Sequence, residues 1–266
     1  MLPLERRGVQ NRPMSARRLA RRALAAIVGT LVCVIVLACQ PPVTGSGAVP
    51  PSATPSTASP DAAGWIDLFD GQATHGLRAY GGDAIPPDRW QIVDGALRTI
   101  PGPGVDLVTD ALFEDFELEF SWAVSPGGNS GVMIGVQEGD EPAWASGPEY
   151  QLVDDAGHPD GQDPRTSAAS LYALTAAASD KRLAPVGELN RSRIVARDGH
   201  VEHWLDDELV LAYDWDDPAL RATITASKFA ALPMFMASRS GRIALQHHGE
   251  EVWFGPVRIR ALPAGG

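Results

Sequence analysis

Between residues 116 and 122 apolar and polar side chains alternate without a break. Phe116, Leu118, Phe120 and Trp122 fall on one side, and Glu117, Glu119 and Ser121 on the other. Successive side chains of a strand point to opposite faces, so this run predicts a strand with one face in a core and one in water. Similar short runs recur at 65–69, 90–93, 96–99, 131–136, 150–153, 193–197, 201–205, 209–213, 242–246, 252–254 and 257–260, separated by Gly, Pro and Asp. Asp94-Gly95 predicts a tight turn, and Asp206-Asp207-Glu208 a hairpin joining 201–205 to 209–213. One helix of one to three turns is expected, with Asp217 as N-cap, Pro218 at its first position and Ala219-Leu220-Arg221-Ala222 following. No internal repeat and no helical period long enough for a βαβ unit interrupts the strands. The pattern therefore predicts an all-β sandwich and argues against a doubly wound fold.

One strand departs from the greasy pattern. In Gly147-Pro148-Glu149-Tyr150-Gln151-Leu152-Val153-Asp154, period two puts Tyr150 and Leu152 on a core face and Glu149 and Gln151 on the other. A carboxylate and a carboxamide then stand about 7 Å apart on one surface. A solvated outer face and a binding surface both satisfy this pattern. The choice of an amide at Gln151, and the acidic loop running through Asp155 to His158, point to a site.

The chain opens with seven arginines (Arg6, Arg7, Arg12, Arg17, Arg18, Arg21 and Arg22) before an uncharged run at 23–38. That run is shorter than the ~20 apolar residues of a membrane-spanning helix and is expected to be a secretory signal. It ends Val36-Leu37-Ala38-Cys39, which resembles a bacterial lipobox and implies lipidation at Cys39. Residues 39–63 are rich in Pro, Ser, Thr and Ala, too poor in apolar bulk to fold, and are expected to tether the domain to the membrane. The only cysteines are Cys33 and Cys39, so the domain at 64–262 has no disulfide, no cysteine-based zinc site and no cysteine nucleophile. Without residues 1–38, 15 bases face 32 acids, a net charge of −17. Such a surface repels nucleic acid and anionic membrane, leaving the lipid as the expected membrane contact. The implied location is the bacterial cell envelope, outside the cytoplasm. About 200 residues suffice for one core and one domain.

Five motifs then occur in order: Asn129-Ser130-Gly131-Val132, Gly147-Pro148-Glu149-Tyr150-Gln151 with Asp154-Asp155, Val201-Glu202-His203-Trp204-Leu205, Ser227-Lys228-Phe229, and Ile243-Ala244-Leu245-Gln246 with His248-Gly249. Together they resemble the 3-keto-disaccharide hydrolase family, also described as 3-keto-glucoside lyases and hydratases. The resemblance implies a concanavalin A-like, jelly-roll β-sandwich acting on small carbohydrates. It also implies a chemical problem, since a ketone at C3 of a glucoside acidifies the C2 proton. Removing that proton expels the C1 oxygen, and water added afterwards completes a net hydrolysis. Such a site needs a base, an acid at the leaving oxygen and positive charge near the C3 oxygen. Glu149, His158, Lys228 and His248 are the candidates for these tasks, while Asn129, Ser130, Gln151, Asp155 and Gln246 suit sugar hydroxyls. A divalent metal ion is the other means of holding an enolate, and Glu149, Asp155, His158 and His248 are donors of a suitable kind. Where the family usually has an acid and an arginine near the site, this chain has His247 and Gly255. Leu189 and Asp206 also depart from the usual residues, at packing or turn positions. His203 shares a face with Val201 and Leu205 and is expected to be a satisfied sheet histidine. A non-catalytic carbohydrate-binding lipoprotein on the same sandwich is the alternative, since fold does not fix function.

Overall fold

The computed structural model describes residues 60–263, so the signal segment, Cys39 and most of the 39–63 tether lie outside the described residues. The described part begins with a turn that Asp61 closes, its Oδ1 accepting from the amides of Ala63 and Trp65 at 2.7 and 2.9 Å. The first strands are β1 (Ile66–Phe69), β2 (Leu77–Ala79), β3 (Trp90–Val93), β4 (Ala96–Thr99), β5 (Leu107–Thr109), β6 (Phe116–Val124) and β7 (Asn129–Val136). They are followed by β8 (Glu149–Val153), β9 (Asn190–Arg197), β10 (His200–Leu205), β11 (Glu208–Asp214), β12 (Arg242–Leu245) and β13 (Val252–Ala261). An eight-stranded sheet runs β11-β10-β9-β6-β13-β4-β3, with β1 pairing β13; a five-stranded sheet runs β2-β5-β12-β7-β8.

The core lies between the sheets. Phe116, Leu118, Phe120 and Trp122 from β6 meet Val132 and Ile134 from β7 and Tyr150 and Leu152 from β8, all buried. Tyr150 crosses the core, with its hydroxyl 2.9 Å from Ser192 Oγ and donating to the Trp204 carbonyl at 3.1 Å. Trp122 Nε1 donates to the same serine at 2.9 Å. One polar knot therefore ties the sheet that carries the site to the sheet behind it, with its buried donors satisfied. His203 stacks 4.6 Å from Tyr150, and its Nδ1 lies 2.9 Å from the Ala169 carbonyl. Burial pushes its pKa down to about 4, so the ring is neutral and Nδ1–H donates, the satisfied sheet histidine expected.

Three details differ from the periodicity. Strands β2 and β5, three residues each, are too short to announce themselves. The runs at 252–254 and 257–260 form one strand, β13. Phe254 pairs Trp122 and Val257 pairs Phe120, so Gly255-Pro256 form a bulge, where a proline without an N–H is tolerated. In the β10–β11 hairpin Asp206 and Asp207 take φ of 46° and 66° and form the two-residue turn, while Glu208 already pairs with Leu205. The helix α1 (Pro218–Thr225) starts as expected, with the Asp217 side chain accepting from the Ala219 amide.

Candidate active site

The site stands on the outer face of the five-stranded sheet. Strands β7 and β8 pair Asn129 with Val153, Gly131 with Gln151 and Met133 with Glu149. Because Tyr150 and Leu152 point into the core, Glu149 and Gln151 must point out of it. Gly131 makes room for the carboxylate: a Cβ there would sit 2.0 Å from Glu149 Oε1. A cavity of about 360 Å³ opens above, floored by Asn129, Glu149, Gln151 and Gln246 and walled by Lys228 and His248. Trp144, Tyr172, Phe229 and Phe235 supply apolar surface around it. This mix of aromatic walls with few polar groups is the usual make-up of a small-molecule site.

Two crossing segments build the walls. Residues 168–172 run along the free edge of β8, where Ala169 N donates to the Gln151 carbonyl and Tyr172 N to the Glu149 carbonyl, at 2.8 and 3.0 Å. On the other side Ser227 caps the short turn Lys228–Ala231 by accepting from Phe229 N, and Phe229 stacks on Phe235 at 4.0 Å. The Met236 amide then bonds the Ser146 carbonyl, anchoring this segment beside β8. Lys228 Nζ lies 4.2 Å from the centre of the Tyr172 ring, a cation–π contact across the cavity.

Burial pushes the Glu149 carboxyl up to about 8; the negative charges of Asp106 and Asp160 add to the shift, and Lys228 opposes it. The group thus changes protonation near neutral pH, where a proton-transfer residue is most effective. Burial also raises Tyr172, aided by Asp160 and Glu149, so its hydroxyl stays protonated and donates to Asp160 Oδ2 at 3.2 Å. Asp160 accepts from Asn129 Nδ2 at 3.4 Å as well, and Asn129 Oδ1 accepts from Gln151 Nε2 at 3.2 Å. This chain orients the amides and leaves Gln151 Oε1 and Gln246 Oε1 buried without partners. Two unsatisfied acceptors at the floor of a cavity are costly unless a ligand hydroxyl donates to them.

Of the residues expected from sequence, Asn129, Glu149, Gln151, Lys228, Gln246 and His248 line this one cavity. The other three lie elsewhere. Ser130 is fully buried and donates to the Gln246 carbonyl at 2.8 Å, a brace between β7 and the end of β12. Asp155 is held by Lys181 Nζ at 2.9 Å and the Ala168 amide at 2.7 Å, so it fastens the loop instead of facing a sugar. His158 caps the short turn Pro159–Gln162, its Nδ1 accepting from Asp160 N at 3.1 Å, and stands 6.4 Å from the His248 ring outside the cavity lining. The His248 ring itself is steered by Glu250, with Nδ1 2.9 Å from Oε2, which leaves Nε2 for the cavity. The four proposed metal donors therefore do not converge, and among the described residues no group of three His, Cys, Asp or Glu could hold a metal ion.

The two departures also have plain positions. His247 packs edge-on against Trp90 and bonds the Ile100 carbonyl at 3.0 Å, outside the Glu149 cavity. Gly255 lies in the other sheet beside Ser121, so no arginine is missing from this site. Glu202 accepts from Trp204 Nε1 at 2.8 Å, also on the other sheet. Asp106, Trp144, Asp160 and Tyr172 were not legible as site residues. Trp144 alone carried a signal, a large aromatic between two small residues, Ala143 and Ala145, in a loop.

An outward polar face on one sheet of a two-sheet β-sandwich, walled by aromatics, defines a small-molecule site on a concanavalin A-like, jelly-roll fold. Residues 64–260 match the 3-keto-alpha-glucoside-1,2-lyase-like domain, and the chain belongs to that family. It is 36% identical over 233 residues to the 3-keto-disaccharide hydrolase of Bacteroides thetaiotaomicron, covering 76% of this chain and 80% of that protein. A Parabacteroides distasonis crystal structure, provisionally described as a glycosyl hydrolase, superposes with a TM-score of 0.71 at 30% identity, covering 76% of this chain and 95% of that one. A second structure from the same organism, with the same provisional description, matches with a TM-score of 0.58 at 23% identity, covering 74% and 99%; it supports the fold.

Proposed function

We propose that this protein cleaves 3-keto-glycosides by elimination followed by hydration. The observation that carries this reading is Glu149, a buried carboxyl ionising near 8 at the floor of a cavity it shares with a lysine, a histidine and unpaired amide oxygens. Ionised Glu149 takes the C2 proton. The electrons pass into the C3 carbonyl, and the Lys228 ammonium stabilises the enolate oxygen. The C1–O bond then breaks, its electron pair leaving with the oxygen, and His248 Nε2 supplies that oxygen with a proton. Water adds to the resulting C1=C2 bond, hydroxyl to C1 and proton to C2, and the sum is hydrolysis. Asn129, Gln151 and Gln246 hold the remaining hydroxyls. Should a divalent metal enter, Glu149 and His248 are the cavity donors available to it.

Replacing Glu149 by Gln keeps the shape and removes the base. Turnover of a 3-keto-disaccharide should fall about 10²–10⁴-fold while sugar binding persists. Unchanged turnover would contradict the role of Glu149, and binding without turnover in the unaltered protein would favour the carbohydrate-binding alternative. We further propose that a lipid on Cys39 and the 39–63 segment hold this domain at the cell envelope, which the lipobox-like Val36-Leu37-Ala38-Cys39 supports.

A further inference from the structure

A second cavity of about 430 Å³ adjoins the first, and the two share Trp144, Gln246 and His248 in their walls. Each volume falls in the range of small-molecule pockets, about 300–1,000 Å³. Resting on the reading of the first cavity as the site of the oxidised sugar, we infer that the second cavity holds the leaving group, and that it is built for a second sugar ring. Trp144 is its platform and Asp106 its hydroxyl acceptor.

Three observations converge on this. His248 borders both cavities, and a proton donor to the leaving oxygen belongs where the oxidised ring ends and the leaving group begins. Trp144 is 44% exposed although its neighbours Ala143 and Ala145 are buried. The short turn Ala143–Ala145 thus plants two small side chains under the surface and stands the indole out between the cavities. A flat amphipathic ring offers its face to the C–H side of a sugar and its edge to water. Asp106 lies only in the second cavity. Its Oδ1 accepts the His247 amide at 2.9 Å, and no described side chain bonds its Oδ2, which is left to accept a hydroxyl. Burial raises its pKa to about 6, partly offset by that amide and by His248, so it is mostly ionised and an acceptor at neutral pH. The backbone beside it is closed to side chains, because a Cβ at Gly104 would sit 1.7 Å from the His247 carbonyl oxygen. This keeps the cavity open.

The test compares substrates within each variant. For the purified protein, kcat/KM is measured with a 3-keto-disaccharide and with methyl 3-keto-glucoside, whose leaving group cannot reach the second cavity. Trp144→Ala and Asp106→Asn should each lower the disaccharide-to-methyl ratio about tenfold, chiefly through KM. The conservative Trp144→Phe should restore most of the ratio. A ratio that stays at the unaltered value in both variants would overturn the inference, as would equal losses on both substrates. Calorimetric titration with unoxidised glucose, the leaving sugar of a glucose disaccharide, adds a readout without turnover. Binding by the unaltered protein that Trp144→Ala weakens supports the site, and equal binding by both counts against it. If the unaltered protein cleaves neither substrate yet this binding difference holds, the proposed reaction fails and the sugar site stands.

Discussion

A carboxyl that ionises near 8 when folded and near 4.5 when unfolded makes stability depend on pH. Between those values the unfolded chain has released a proton that the folded chain still holds, so stability falls as pH rises through the window. Glu149→Gln removes the ionisable group. The variant should therefore gain stability over the unaltered protein as pH rises from 5 to 8, by about 3–4 kcal/mol, read from urea unfolding at each pH; a constant difference would refute the raised pKa. Turnover follows a different course. With Glu149 as base and His248 as acid, kcat/KM should pass through a maximum as pH rises, as a pH–rate profile measures; a profile flat from pH 5 to 9 would contradict both roles. Gly131→Ala places a Cβ on Glu149 Oε1 and should displace the carboxylate, lowering turnover more than either Tyr172→Phe or Gln246→Ala. Glu149 and Gln151 were legible because period two and a single core face decide where they point. Ser130 and Asp155 misled because sequence does not reveal which polar groups distant partners consume: the Gln246 carbonyl takes one, and Lys181 with the Ala168 amide takes the other.

Strand β8 belongs to two structures at once, which explains its composition. Its inward residue Tyr150 is tied to Ser192 and, through it, to Trp122 in the other sheet, so the floor of the site cannot slide against the core. Ser192→Ala leaves the buried Trp122 indole N–H without its acceptor and the Tyr150 hydroxyl without its second partner, and should cost about 1–3 kcal/mol of unfolding free energy. Tyr150→Phe also removes the hydroxyl from its own side of the bond and should cost less than Ser192→Ala; the reverse order in denaturant titrations would contradict this account of the knot. Alternation revealed β6, β8 and β10 because they are long enough to show a period. It missed β2 and β5, at three residues each, and split β13 at the Gly255-Pro256 bulge, where a register shift interrupts the pattern. The segments carrying Lys228 and Tyr172 have no period to read. They enter the site only because tertiary contacts to Ser146 and β8 bring them there.

At the scale of the whole molecule, the site faces away from the core on a sandwich whose chain, past residue 38, carries a net charge of −17. Such a chain gains little from an anionic membrane by charge, so the proposed residence at the envelope rests on the proposed lipid. Cys39→Ser should release the protein from membranes into the soluble fraction, and retention would contradict the tether. Elimination removes the C2 proton of the substrate, whereas direct displacement at C1 leaves it in place. Cleavage of a 3-keto-disaccharide in D2O, with the 3-keto-glucose product followed by mass spectrometry at early times against an enzyme-free control, separates the two. Elimination and hydration place one deuterium at C2 of nearly every product molecule, appearing at the rate of cleavage. Product formed at that rate with its C2 hydrogen intact would contradict elimination.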